Sequence, residues 1–178
     1  MTFDEEVYST NNGSGALDTA DFVFSIAGGS ATLSSTAPTS ISASSNTYTL
    51  GIGLSGLADG NEVITVKPAS NAIFDGGYNA ASATQSNNTA TLNDRAGPKI
   101  SSVALAADNS TIAVTLNEAS YKTNSGSGSL EKNDFVFSLT GGTATLSSTT
   151  PSSISTDGNV YTLGVTISGT PSGSELLK

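Results

Sequence analysis

The chain carries the same sequence twice, with the two copies in register at one constant offset. Asp21-Phe22-Val23-Phe24-Ser25 returns as Asp134-Phe135-Val136-Phe137-Ser138, 113 positions later. Gly28 to Ser35 returns as Gly141 to Ser148, and Tyr48-Thr49-Leu50-Gly51 as Tyr161-Thr162-Leu163-Gly164, at the same spacing. Roughly half of the aligned positions are identical, loops included, with no insertion or deletion, as tandem duplication leaves them. A chain of this kind folds as repeats. Each copy is about 110 residues, a size that can bury a core of its own.

Within the copies apolar residues alternate with a period of two, the pattern of strands buried on one face. Phe22, Phe24 and Ile26 form one such set, repeated by Phe135, Phe137 and Leu139. Tyr48, Leu50, Ile52 and Leu54 form another, repeated by Tyr161, Leu163, Val165 and Ile167, and Ile112, Val114 and Leu116 a third. Gly, Asn, Ser and Pro clusters interrupt these runs at short intervals, and no window reads as a helix. The expectation is all-β: tandem immunoglobulin-like antiparallel β-sandwiches, each copy incomplete within this chain. The joint falls in Asn93-Asp94-Arg95-Ala96-Gly97-Pro98, dividing the chain into residues 1–95, without a first strand, and 96–178, without the last strands.

Composition removes several functions. The chain has no Cys and no His, hence no disulfide, no thiolate metal site and no imidazole base. Its net charge is −9, with six Lys and Arg in all, so no basic surface exists to displace counterions from nucleic acid. No apolar run approaches the length of a membrane span, so direct membrane insertion is not expected. No signal-peptide pattern occurs in the sequence, and Met1 lies opposite Val114 inside a strand pattern, as expected of a piece of a longer exported chain.

Three stretches carry a family likeness. They are the strand ends Thr2-Phe3-Asp4-Glu5-Glu6-Val7 and Thr115-Leu116-Asn117-Glu118, the loop Ile73-Phe74-Asp75-Gly76-Gly77-Tyr78-Asn79, and the Asn93–Pro98 joint. Together they resemble the bacterial immunoglobulin-like tandem repeats of large surface adhesins, with their TFSE-V strand end, D-A-A-G-N loop and D-x-x-A-P junction. Tyr78 departs from that loop pattern, where Gly is usual. The joint is more loosely similar to the calcium-binding linker of cadherins. The resemblance implies an extracellular, cell-surface segment acting as stalk, filament or adhesin spacer, in some relatives stiffened by calcium.

The residues themselves also argue for calcium, a hard cation that takes six to eight oxygens from carboxylates, amides and carbonyls. One end of the first copy is expected to gather Asp4, Glu5, Glu6, Asp18, Asp21, Asp75 and Asn79. The second is expected to gather Asn117, Glu118, Glu131 and Asp134 beside Asn93 and Asp94. The metal set is thus Glu5, Asp21, Asp75, Asn79, Asp94, Glu118 and Asp134, with Asp94 bridged to Glu118 and Asp134 across the joint. Against it stands a plainer reading, in which acidic residues at strand ends are turn formers and Asp21 and Asp134 bond nearby backbone N–H groups.

An enzyme is not expected. Carboxylate pairs could serve a glycosidase, but both copies carry the same set, and with no Trp there is little to line a cleft. The alternative function is a calcium-containing carbohydrate-binding module. Its aromatic candidates are Tyr8 and its counterpart Tyr121, with Tyr78, all read as loop residues, for which the plainer and preferred reading is as loop anchors packed on the sandwich end. No Lys is shared between the copies, which disfavours an internal Lys–Asn cross-link. The expected partners are neighbouring copies of the same repeat, with head-to-tail assembly by strand donation weighed against simple truncation, and a surface glycan or protein target.

Overall fold

The structure, a computed structural model, describes residues 1–178 and is built from short antiparallel strands with two single turns of 3-10 helix. It divides into two units, Met1–Gly97 and Pro98–Lys178. All-β architecture is therefore observed, with several small sheets in each unit.

In the first unit the strands are β1 (Val7–Tyr8), β2 (Phe22–Ala27), β3 (Thr32–Leu33), β4 (Ile41–Ser44), β5 (Thr47–Leu50), β6 (Leu54–Ser55), β7 (Val63–Pro68), β8 (Phe74–Asp75) and β9 (Thr89–Thr91). They pair as β1–β8, β2–β7–β9, β3–β6 and β4–β5. Phe22 and Phe24 on β2 are buried while Val23 between them faces outward, the alternation that the pleat imposes. Phe22 joins Val7, Leu17, Tyr48 and Ile73 in one apolar core, with Phe3 set edge-on to Tyr48 at 5.7 Å between ring centres.

The second unit contains β10 (Ile100–Leu105), β11 (Thr111–Leu116), β12 (Leu139–Thr140), β13 (Thr145–Leu146), β14 (Ile154–Asp157), β15 (Val160–Gly164), β16 (Ile167–Ser168) and β17 (Leu176–Leu177). The longest sheet runs β10–β11–β15–β14, beside the pairs β12–β17 and β13–β16. Its core gathers Ile112, Val114, Phe137, Tyr161, Leu163 and Val165.

The sequence repeat is also a repeat of hydrogen bonds. Leu33 pairs with Leu54 as Leu146 pairs with Ile167, and Ile41 with Leu50 as Ile154 with Leu163. The N–H of Phe24 donates to the Thr36 carbonyl, and that of Phe137 to the Thr149 carbonyl, both at 2.7 Å. The start of the chain follows the same plan: the Phe3 N–H donates to Asn46 as the Leu116 N–H does to Asn159.

Two expectations change. The run Tyr48 to Leu54 is not one strand: it ends after Leu50, and Leu54 resumes in β6 with β3 as partner, leaving Ile52 exposed. Gly51 explains the break, because its missing side chain lets it pack against Thr39 and Ser40, where a Cβ would meet the Ser40 hydroxyl at 2.4 Å. The second difference lies between the copies. Phe22–Phe24 pair with Val66–Pro68 on β7, whereas the sequence ends opposite Thr65 in the second copy, and only Leu139–Thr140 pair there as a strand. Phe135 is accordingly half-buried, and Val136 is 76% exposed against 42% for Val23.

Candidate functional site

The acidic residues singled out from the sequence are mostly occupied by neighbours along the chain. Asp21 ends a 3-10 turn and accepts the Asp18 N–H at 2.7 Å, while Asp18 accepts the Ala20 N–H at 2.7 Å. Asp134 accepts the Glu131 N–H at 2.8 Å in the matching turn. These are reciprocal capping arrangements, which satisfy N–H groups that a short turn would leave unpaired. Burial pushes the Asp21 carboxyl up, against the pull of the Asp18 N–H.

Asp75 closes its own loop, accepting the Asn79 N–H at 2.8 Å and the Asn79 side-chain amide at 3.0 Å, and these bonds hold its carboxyl below the usual range. Asp94 accepts the Ala96 N–H at 2.9 Å, and the Arg95 and Ala96 N–H groups both reach the Ala58 carbonyl. Asn117 accepts the Lys99 N–H, and its amide lies 3.5 Å from Glu118. Glu5 is exposed in the bend after Phe3. No three carboxylates stand close enough together to surround an ion. The set expected to gather at one end of the first copy is not assembled as a ligand cage.

Each unit does contain one highly engaged carboxylate that the sequence reading passed over. Glu62, fully buried just before β7, accepts the Ser30 and Ala31 N–H groups on Oε1 at 2.8 Å each, and the Asp59 N–H on both oxygens. Glu175, its counterpart, accepts N–H groups from Thr143, Ala144, Ser172 and Gly173. Donation by Ala31 first holds the Glu62 carboxyl below its ordinary value, and donation by Ser172 first does so for Glu175. With its oxygens taken by backbone donors, such a carboxylate has little left for a metal or for proton transfer. It is a clamp. The signal was present in the sequence, since Glu62 and Glu175 are identical at the repeat offset.

The tyrosines lie at concave surfaces. Tyr8, read as a loop residue, is the second residue of β1, paired with Phe74. It lines a cleft of about 410 Å³ with Tyr48, Glu6, Ser14, Gly15, Ser45 and Asn46 among its walls. Tyr121 and Tyr161 line a cleft of about 260 Å³ with Ser120, Gly128, Ser129 and Thr156. Tyr8 and Tyr121, Gly15 and Gly128, and Tyr48 and Tyr161 are repeat counterparts, so one cleft occurs twice. Glu6 raises the Tyr8 phenol, by a side-chain hydrogen bond first and by its charge as well, while burial first and then Glu6 raise that of Tyr48. Tyr78 stands apart, exposed and with φ of 70°.

Comparison with known proteins finds no family model, no curated protein and no solved structure that matches the chain.

Proposed function

We propose that the chain is a non-catalytic segment of an extracellular, cell-surface repeat protein, in which tandem immunoglobulin-like β-sandwiches serve as stalk, filament or adhesin spacer. The observation that carries this reading is the recurrence of one hydrogen-bonded framework at a single offset, down to the Glu62 and Glu175 clamps. A spacer needs units that fold alike and hold their loops without help from a ligand. Internal clamps and paired strands supply that, and an acidic, Lys-poor surface keeps such units hydrated. Neighbouring repeats are the partners this reading calls for.

Stretching single molecules tests it. The spacer reading expects two separate force peaks, one releasing up to about 350 Å for Met1–Gly97 and one up to about 290 Å for Pro98–Lys178. One peak for the whole chain, or extension without resistance, would overturn it. Calcium stiffening of the segment has its own test: melting in millimolar calcium and in chelator. A higher midpoint with calcium supports it, and superimposable melts remove it.

A further inference from the structure

Tyr48 and Tyr161 are core residues, 9% and 4% exposed, yet neither hydroxyl hydrogen-bonds to any protein group. Neither is sealed in, because no buried side-chain oxygen lacks a partner. Both residues line the clefts described above, and solvent reaches both hydroxyls. A tyrosine hydroxyl in a buried residue ordinarily finds a hydrogen-bond partner, in the protein or in water. A ligand seated in either cleft has an uncommitted tyrosine hydroxyl within the lining to bond, in both units.

The remaining walls restrict what that partner is. Neither cleft is lined by a Lys or Arg, so neither offers a counter-charge to a phosphate, sulfate or carboxylate. Tyr8 and the 54%-exposed Tyr121 present aromatic rings. Around them stand small hydroxyl and amide groups: Ser14, Ser45 and Asn46 in the first cleft, Ser120, Ser129 and Thr156 in the second. Aromatic rings beside hydroxyl and amide groups, joined in the first cleft by the Glu6 carboxylate, suit a ligand that is apolar on one face and carries hydroxyls at its edge. The clefts are of a size for one or two rings, toward the small end of ligand sites.

We infer that each cleft is a saccharide subsite, taking one pyranose ring of a neutral oligosaccharide against Tyr8 or Tyr121 and bonding a ring hydroxyl to Tyr48 or Tyr161. The first subsite has one more acceptor than the second, since Glu6 lines it and Ala119 holds the matching position in the second copy. It is the tighter of the two. The inference is independent of the spacer reading, because a segment with or without mechanical independence can carry the subsites.

The test is a titration of the intact chain with cellotriose, laminaritriose and mannotriose, followed by amide chemical shifts, with sialyllactose as the acidic comparison. The expected result is saturable shifts around Tyr8 and Asn46 and around Tyr121 and Thr156 for at least one neutral trisaccharide, and weaker ones for sialyllactose. Tyr48→Phe keeps the ring in the core and removes the hydroxyl; it should weaken the first subsite about three- to tenfold, leaving the second unchanged. Tyr8→Ala should abolish the response of the first subsite. If that variant does not fold, Tyr121→Ala, at a largely exposed side chain, makes the same test in the second unit. No saturable shift at about 20 mM of any neutral trisaccharide would overturn the inference. So would tighter binding of sialyllactose, or an affinity that Tyr121→Ala leaves unchanged.

Discussion

Gly29 and Glu62 approach so closely that a Cβ on the glycine would lie 2.1 Å from the glutamate Cδ. Gly142 and Glu175 repeat the relationship, with a Cβ 2.0 Å from Oε1. The glutamate is a flexible side chain, but it cannot retreat without releasing the N–H groups it holds. The glycine therefore sets how tightly the loop can be clamped.

Gly142→Ala should destabilise the second unit by more than Gly158→Ala. Both positions have positive φ, 63° and 57°, but nothing lies within 4 Å of a Cβ at Gly158. Gly158→Ala thus isolates the backbone penalty, about 1–2 kcal/mol, and the excess at Gly142 measures the disturbed clamp. Urea midpoints of the two variants check this. Equal losses would mean that the close approach to Glu175 is of no consequence.

The clamps also set the direction of the acid response. Backbone donation holds both glutamates below 4.5, so their folded pKa values lie below the unfolded ones. Their stabilisation is fully present above about pH 4.5 and is lost as pH falls toward the folded values. Asp75 and Asp108, lowered first by the side chains of Asn79 and Ser110, act the same way. Asp21 acts oppositely: burial raises it, so its contribution is present below its unfolded value of 3.8 and is lost as pH rises through the folded pKa. The urea midpoint should fall on acidification below about pH 4.5. The Glu62→Gln/Glu175→Gln variant should start lower at neutral pH and fall less steeply. Parallel curves for the two proteins would show that the clamps do not drive the acid response.

Period-two alternation made the long strands legible in the sequence, because a one-sided core dictates that spacing at Phe22 and Phe24 or at Ile112 and Val114. It could not reveal β1 or β8, each two residues long, and so Tyr8 was assigned to a loop. The acidic residues were ambiguous for a different reason. Carboxylates at strand ends suit an ion and a cap equally well, and only the fold shows that Asp21 and Asp134 face N–H groups of their own turns. Glu62 was hidden because its donors at Ser30 and Ala31 are distant in sequence. Its identity with Glu175, and the Gly-Gly pair shared by Gly28-Gly29 and Gly141-Gly142, were the available clues.

Phe22 and Phe135 are the same residue of the repeat in unequal surroundings. Phe22, on a strand paired along its length with β7, is 1% exposed and lies 6.1 Å from the Tyr48 ring centre, whereas Phe135 packs on Tyr161 and is half-buried. Phe22→Ala should cost about 3–5 kcal/mol. Phe135→Ala should cost only about 1–2 kcal/mol, in proportion to the smaller area covered. Thermal melts of the two variants, resolved by unit, compare them directly. An equal cost would mean that Phe135 is covered as fully as its counterpart.

Ser45 is the first of two residues linking β4 to β5, with φ of 51°, and Gly158 holds the matching position with φ of 57°. Two-residue hairpins that need positive φ at this position favour glycine, because a Cβ is strained there. The Ser45 side chain makes no hydrogen bond that would offset the strain. Ser45→Gly should relieve about 1 kcal/mol, less part of that returned to the more flexible unfolded chain. The expected net effect is a melting point of the first unit raised by up to about 4 °C. The reverse change, Gly158→Ser, should lower that of the second. A fall in melting point on Ser45→Gly would show that the serine earns its place through a contact outside the turn.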